Sequence, residues 1–208
     1  MTRIVGMSID DIKEAAKLVV EGRLIAYPTD TVYGLGCNPF DADAVDRLVQ
    51  AKDRIKGSLP ILVSSLKDAE KLGEISGLAA ILANRFWPGP LTLVVRPRNN
   101  FPASITGDTL LVGLRIPNHE AARRLIKECG GALIGTSANV SGRPSLRTAE
   151  EVLREMEGRV DLVVDGGPAS LGIESTVVRV LGDETTVLRD GAISRDDILK
   201  TLPVTRAR

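Results

Sequence analysis

The sequence is poor in the residues that build metal centres, disulfide frameworks and base-stacking surfaces. Its 208 residues include two cysteines and one histidine. Cys37 and Cys129 are too few for a disulfide scaffold or a cysteine-built zinc site, and both read as small buried hydrophobes. With His119 alone there is no histidine cluster for a metal. A Ser-His-Asp triad would have to use it. His119 follows Pro117-Asn118 and opens an apparent helix, which argues against that role. Aromatic residues are 3% of the chain, too few for an RNA-stacking platform. Lys and Arg number 27, as do Asp and Glu, so there is no overall polybasic surface for nucleic acid or anionic membrane. A local basic cleft remains possible. No apolar run reaches the roughly 18 residues that span a bilayer. Ser8-Ile9-Asp10-Asp11 stands where a secretory h-region would be apolar. The expectation is a soluble, cytoplasmic protein.

What is present is a 43% hydrophobic share, enough for a sizeable core, arranged as alternating short β-branched runs and helical stretches. Strands are expected at 3–5, 24–27, 61–63, 91–96, 110–115, 132–135, 162–164, 176–181 and 185–188. Ser8 with Asp11 forms a capping-box signature, followed by Ile12, Ala16 and Val19 at helical spacing, with Gly22 as the stop. Further helices are expected at 41–52, as two pieces within 66–85, at 119–129, after Thr148 with Glu151, and after Ser194. The turn at Gly182-Asp183 makes an antiparallel hairpin and argues against an all-parallel sheet. The fold class is α/β: one domain over residues 1–203, with a twisted open mixed sheet and flanking helices. Residues 204–208 read as a loose tail.

The polar residues that could act gather in loops following strands, where open α/β sheets place ligands. Residues 28–36 supply two threonine hydroxyls and two glycines, but no P-loop, because no Gly-Lys-Ser/Thr follows. Lys52, Arg54 and Lys56 lie at a helix exit and suit either the helix dipole or an anion clamp. Arg115, held at a strand end before Ile116-Pro117, has the planar fork that grips a carboxylate. Residues 135–145 carry several hydroxyls and Asn139 after a buried strand. Glu174-Ser175-Thr176 and Leu188-Arg189-Asp190-Gly191 complete the set. Each is weak alone.

Together they form an ordered series: Tyr-Pro-Thr-Asp-Thr-Val-Tyr-Gly-Leu-Gly, Lys-x-Arg, Trp-Pro-Gly-Pro-Leu-Thr, Leu-Arg-Ile-Pro, Thr-Ser-Ala-Asn-x-Ser-Gly, Glu-Ser-Thr-Val and Leu-Arg-x-Gly. Running from Tyr27 to Gly191, this series resembles the YrdC-like family, the threonylcarbamoyl-AMP synthases of tRNA modification, in its short single-domain form. The resemblance implies a large, locally basic cavity. It also implies a nucleotidyl-transfer reaction in which ATP, L-threonine and bicarbonate or carbon dioxide yield threonylcarbamoyl-adenylate and pyrophosphate. The product would pass to a tRNA threonylcarbamoyl transferase complex.

By the same resemblance, Lys52, Arg54, Ser137 and Asn139 form the catalytic group. Thr31, Arg115 and Ser175 match threonine-holding positions. Arg54, Lys56, Ser58, Ser137, Ser145 and Arg189 fall on the nucleotide side. Magnesium is expected with ATP, held mainly by phosphates and water, with no dedicated protein metal site. The run from Ile55 to Pro60 departs from the family pattern, because the proline that usually follows Lys-x-Arg is missing. Spacing favours Ser58 for the nucleotide contact, and charge favours Lys56. Two other readings stand beside the synthase: a tRNA or double-stranded RNA-binding protein, and a carbamoyl-adenylate-handling domain for another substrate.

Overall fold

The computed structural model describes residues 2–53 and 58–203. Arg54, Lys56 and the 204–208 tail, all singled out above, lie outside the described residues. In chain order the elements are β1 (Arg3–Val5), α1 (Ile9–Val20), β2 (Ile25–Tyr27), β3 (Gly34–Gly36), α2 (Ala42–Ala51), β4 (Ile61–Val63), α3 (Leu66–Leu72) and α4 (Gly77–Phe86). They continue with β5 (Leu91–Val95), α5 (Ala103–Thr106), a 3₁₀ turn (Gly107–Thr109), β6 (Val112–Arg115), α6 (Glu120–Glu128), β7 (Ala132–Ile134) and β8 (Thr136–Ser137). The last are α7 (Ala149–Met156), β9 (Leu162–Val164), β10 (Thr176–Leu181), β11 (Glu184–Arg189) and α8 (Arg195–Thr201).

Helices α1, α2, α3, α6, α7 and α8 start at residues whose side chains accept a free backbone N–H, whereas α4 and α5 have no such cap. Ser8 and Thr148 each close a complete capping box, with Asp11 and Glu151. Gly22 takes up a φ of 76°, as a C-terminal stop requires. In α1, Ile12, Ala15, Ala16 and Val19 form one buried stripe. That stripe packs with α6 residues Leu125 and Ile126 against Ile25, Leu162 and Val164 of the sheet.

The expected mixed α/β architecture is observed, with its strands shared between two mixed sheets. One has the order β1-β9-β2-β3-β8, and the other β11-β10-β5-β6-β4-β7. The β10–β11 hairpin is antiparallel around Gly182-Asp183, as read from the sequence. Two strands lie inside stretches read as loops. Gly34–Gly36 pairs with both Ile25–Tyr27 and Thr136–Ser137. Glycine has low strand propensity, so this pairing comes from tertiary neighbours rather than local preference.

The chain changes sheets at Gly135, between β7 and β8. Its N–H donates to the Pro60 carbonyl at 2.9 Å. A Cβ at this corner would run into the Leu62 side chain, so only glycine permits the close crossing.

Candidate functional site

Strand periodicity builds the site. Successive side chains of a strand face opposite ways. In β5, Leu91, Leu93 and Val95 enter the main core while Thr92 and Val94 line a cavity. In β6, Val112 and Leu114 are core, and Gly113 and Arg115 face the same cavity. From the other sheet come Gly34, Thr136 and Ser137, and from the loop between β2 and β3 come Thr29, Thr31 and Tyr33. Residues from both sheets thus enclose a polar cavity of about 290 Å³.

Six of the residues singled out in the sequence line this cavity: Thr31, Ser58, Arg115, Ser137, Ser175 and Arg189. The pairing of β3 with β8, Gly34 opposite Ser137, brings the first and fourth polar loops together. Lys52, Asn139 and Ser145 are not among the cavity-lining residues.

Lys52 is buried at the end of α2. Its ammonium donates to the Ser137 carbonyl and, at 2.7 Å, to that of Asn139. Its own carbonyl accepts the Ser141 N–H at 2.8 Å. Lys52 therefore braces the 137–141 loop from behind the cavity wall. The Asn139 amide donates to the carbonyls of Val140 and Arg143, while its Oδ1 is buried with no hydrogen-bond partner among the described residues.

Arg115 does not present an open fork. Its Nε donates to the Gly89 carbonyl at 3.0 Å, NH1 to Thr31 Oγ1 at 2.8 Å, and NH2 to Asp30 Oδ1 at 2.5 Å. Burial pulls the guanidinium below its ordinary pKa, and the Asp30 carboxylate opposes that shift. The Thr29 hydroxyl donates to the Val32 carbonyl at 2.6 Å, so it accepts from the Thr31 hydroxyl at 2.9 Å. Thr31 in turn accepts from Arg115, and the orientation of the threonine hydroxyls is set throughout.

A second cluster forms around Glu174. One oxygen accepts from Ser145 Oγ at 2.6 Å and the other pairs with Arg189 NH1 at 2.6 Å. Arg189 NH2 also donates to the Ser175 carbonyl at 2.8 Å, and Ser175 Oγ lies 2.9 Å from Thr92 Oγ1. Ser145 thus belongs to the site through Glu174.

The sequence reading quoted Asp30, Thr92 and Glu174 within its motifs but gave none of them a role in the site. The alternation within Leu91–Val95 was a usable signal for Thr92, since a threonine breaks an otherwise apolar strand. The two carboxylates stand inside quoted motifs, but their arginine partners are 85 and 15 residues away in sequence, so nothing local pairs them.

His119 caps α6, with Nδ1 accepting the Ala122 N–H at 3.2 Å, so it is not a triad member. Burial pushes both thiols up to about 12: Cys37 is buried and Cys129 partly so. Both fit the expected packing role. Among the described residues no helix is long and apolar enough to cross a membrane.

Fold and site define an open α/β protein with a polar, arginine-bearing ligand cavity between two mixed sheets. The Sua5/YciO/YrdC family, described as "Telomere recombination", matches residues 17–191. The chain belongs to this family. A Pyrococcus abyssi relative named threonylcarbamoyl-AMP synthase is 40% identical over 193 residues, covering 92% of this chain and 57% of its own length. An Idiomarina loihiensis relative of the same name is 34% identical over 187 residues, covering 88% of this chain and 99% of its own length. The chain therefore spans little more than half of the first relative and nearly all of the second. The crystal structure of P. abyssi Sua5 complexed with L-threonine superposes with a TM-score of 0.91 at 39% identity, over 97% of this chain and 61% of that one.

Proposed function

We propose that this chain is an ATP-dependent threonylcarbamoyl-AMP synthase. It would combine L-threonine with bicarbonate or carbon dioxide into a carbamate and transfer the adenylyl group of ATP to that carbamate with release of pyrophosphate, as the first step of tRNA threonylcarbamoyladenosine formation. The observation that carries the reading is the convergence of Thr31, Arg115, Ser137, Ser175 and Arg189, from separate loops, on one cavity. The threonine complex of the P. abyssi relative and the shared name of the relatives support it.

The chemistry needs no protein nucleophile. The threonine amine adds to carbon dioxide, and the carbamate oxygen attacks the α-phosphate as pyrophosphate leaves. The protein's contribution is placement and neutralisation of charge. Arg115 and Thr31 take the threonine carboxylate, with Ser175 beside them. Arg189 serves the nucleotide, with Ser145 steadied by their shared carboxylate Glu174. Lys52 holds the main chain of Ser137 and Asn139 in place, and we extend the proposal to the role on the phosphates that the family resemblance implies for Arg54, with Lys56 or Ser58.

One carboxylate, Glu174, lines the cavity, and among the described residues no group of three His, Cys, Asp or Glu side chains is placed to hold a metal. That donor set fits magnesium arriving on ATP, coordinated by phosphate oxygens and water. When bound, it would neutralise phosphate charge. The product would pass to a tRNA threonylcarbamoyl transferase complex in the cytoplasm. The names of the relatives favour this reading over RNA binding alone.

The test is pyrophosphate release with ATP, threonine and bicarbonate, omitting each in turn. Release should require all three. Equal release without threonine would overturn the assignment.

A further inference from the structure

We propose that Asp30 is a positioning residue: it holds the Arg115 guanidinium through one carboxylate oxygen, so that the edge shared with Thr31 serves the threonine carboxylate. The inference rests on reading this cavity as a threonine site. Asp30 and Arg115 are 4% and 5% exposed, and Arg115 lines the cavity while Asp30 does not. The pair therefore runs from the cavity into the wall behind it.

Its geometry is unusual for a purely structural ion pair. Arginine and carboxylate commonly meet through two parallel hydrogen bonds. Here Asp30 Oδ1 takes NH2 alone, and Oδ2 is buried with no hydrogen-bond partner among the described residues. An unsatisfied buried oxygen lowers stability, and buried ion pairs are in any case weak stabilisers. What the one-oxygen hold achieves is orientation. Nε is tied to Gly89, NH2 to Asp30, and NH1 is left to Thr31, the one partner of the three that lines the cavity with a side-chain oxygen.

The anchor itself is rigid. The Asp30 carbonyl accepts the Leu171 N–H at 2.9 Å and Ser170 Oγ at 3.1 Å, and the Thr31 carbonyl accepts the Gly172 N–H at 2.8 Å. The segment that fixes Asp30 leads directly into Glu174 and Ser175. Asp30 also supplies the counter-charge that lets a guanidinium remain buried before any carboxylate arrives.

The experiment measures threonine affinity by calorimetry, and threonine and ATP KM by pyrophosphate release, for the wild type, Asp30→Asn, Arg115→Lys and the double variant. Asp30→Asn should weaken threonine about tenfold, the loss of one hydrogen bond's charge assistance, and leave the ATP KM within about twofold. In the Arg115→Lys background it should add less than about twofold, because Asp30 acts through Arg115. Asp30→Glu keeps the charge but shifts the guanidinium, and should also raise the threonine KM; it carries the test if Asp30→Asn fails to fold. Wild-type threonine affinity in both Asp30 variants overturns the inference. So do equal losses for threonine and ATP, or full additivity with Arg115→Lys. A wild type that binds no threonine removes the reading of the cavity instead, and the inference with it.

Discussion

Arg115–Asp30 and Arg189–Glu174 are two arginine–carboxylate pairs at one cavity, in opposite surroundings. The first pair's side chains are 6% and 5% exposed, the second's 48% and 37%. In the first, each guanidinium nitrogen has its own protein acceptor and the neighbouring hydroxyls are ordered in series. In the second, Glu174 is shared between Arg189 and Ser145 within reach of water. The threonine side of the proposed site is thus built before substrate arrives. The nucleotide side can exchange its internal carboxylate for a more highly charged phosphate. Pre-organisation suits a small ligand that must be held in attack geometry, and an exposed pair suits a large polyanion that has to enter and leave.

Stability measurements test that contrast most strongly. Arg115→Ala leaves a buried carboxylate unpaired and should cost about 3–5 kcal/mol. Arg189→Ala removes a half-exposed pair and should cost no more than about 1 kcal/mol. Denaturant midpoints of the two variants decide the matter; equal losses would break the comparison.

Salt should separate the two sides by a smaller margin. Raising ionic strength from about 0.1 to 1 M shortens the Debye length from roughly 10 to 3 Å. The ATP KM should then rise several-fold while the threonine KM moves by less than about twofold, as read by steady-state pyrophosphate release. RNA binding driven by phosphate contacts would instead fall steeply in the same titration, without any need for threonine.

The smallest expected effect lies beside the threonine side, at His119. Burial lowers its pKa from 6.5, with the Asp30 charge opposing and Arg123 reinforcing that shift. The unfolded chain therefore takes up this proton at a higher pH than the folded one. Stability from this group is full above 6.5 and is lost as pH falls through 6.5 toward the folded value. A neutral ring also fits Nδ1 as the acceptor of the Ala122 N–H. The loss is measured by denaturation between about pH 7 and 5. His119→Asn keeps a capping side chain and should flatten the dependence. An unchanged slope would place its origin elsewhere.

Local chemistry was legible from the residues alone. Ser8 with Asp11 and Thr148 with Glu151 announced their capping boxes because both partners lie within one turn. The hairpin at Gly182-Asp183 followed from a two-residue turn between alternating strands. The site residues came through a different channel, since the ordered motifs marked Thr31, Arg115, Ser137, Ser175 and Arg189 by resemblance. Nothing local distinguished Gly34–Gly36 or Thr136–Ser137 as strands. They pair because the chain crosses between sheets at Gly135, a contact remote in sequence.

Composition, periodicity and capping determined that this is a mixed α/β chain with its polar loops at strand ends, because those signals act over a few residues. Only the tertiary structure decided that Lys52 braces a loop's main chain, that Glu174 joins Ser145 to Arg189, and that Asp30 stands behind Arg115. A carboxylate or an ammonium reads the same in sequence whether it faces water or a buried partner. Its role is set by burial and by neighbours some 85 residues away, as they are for Arg115 with Asp30 and Lys52 with Ser137.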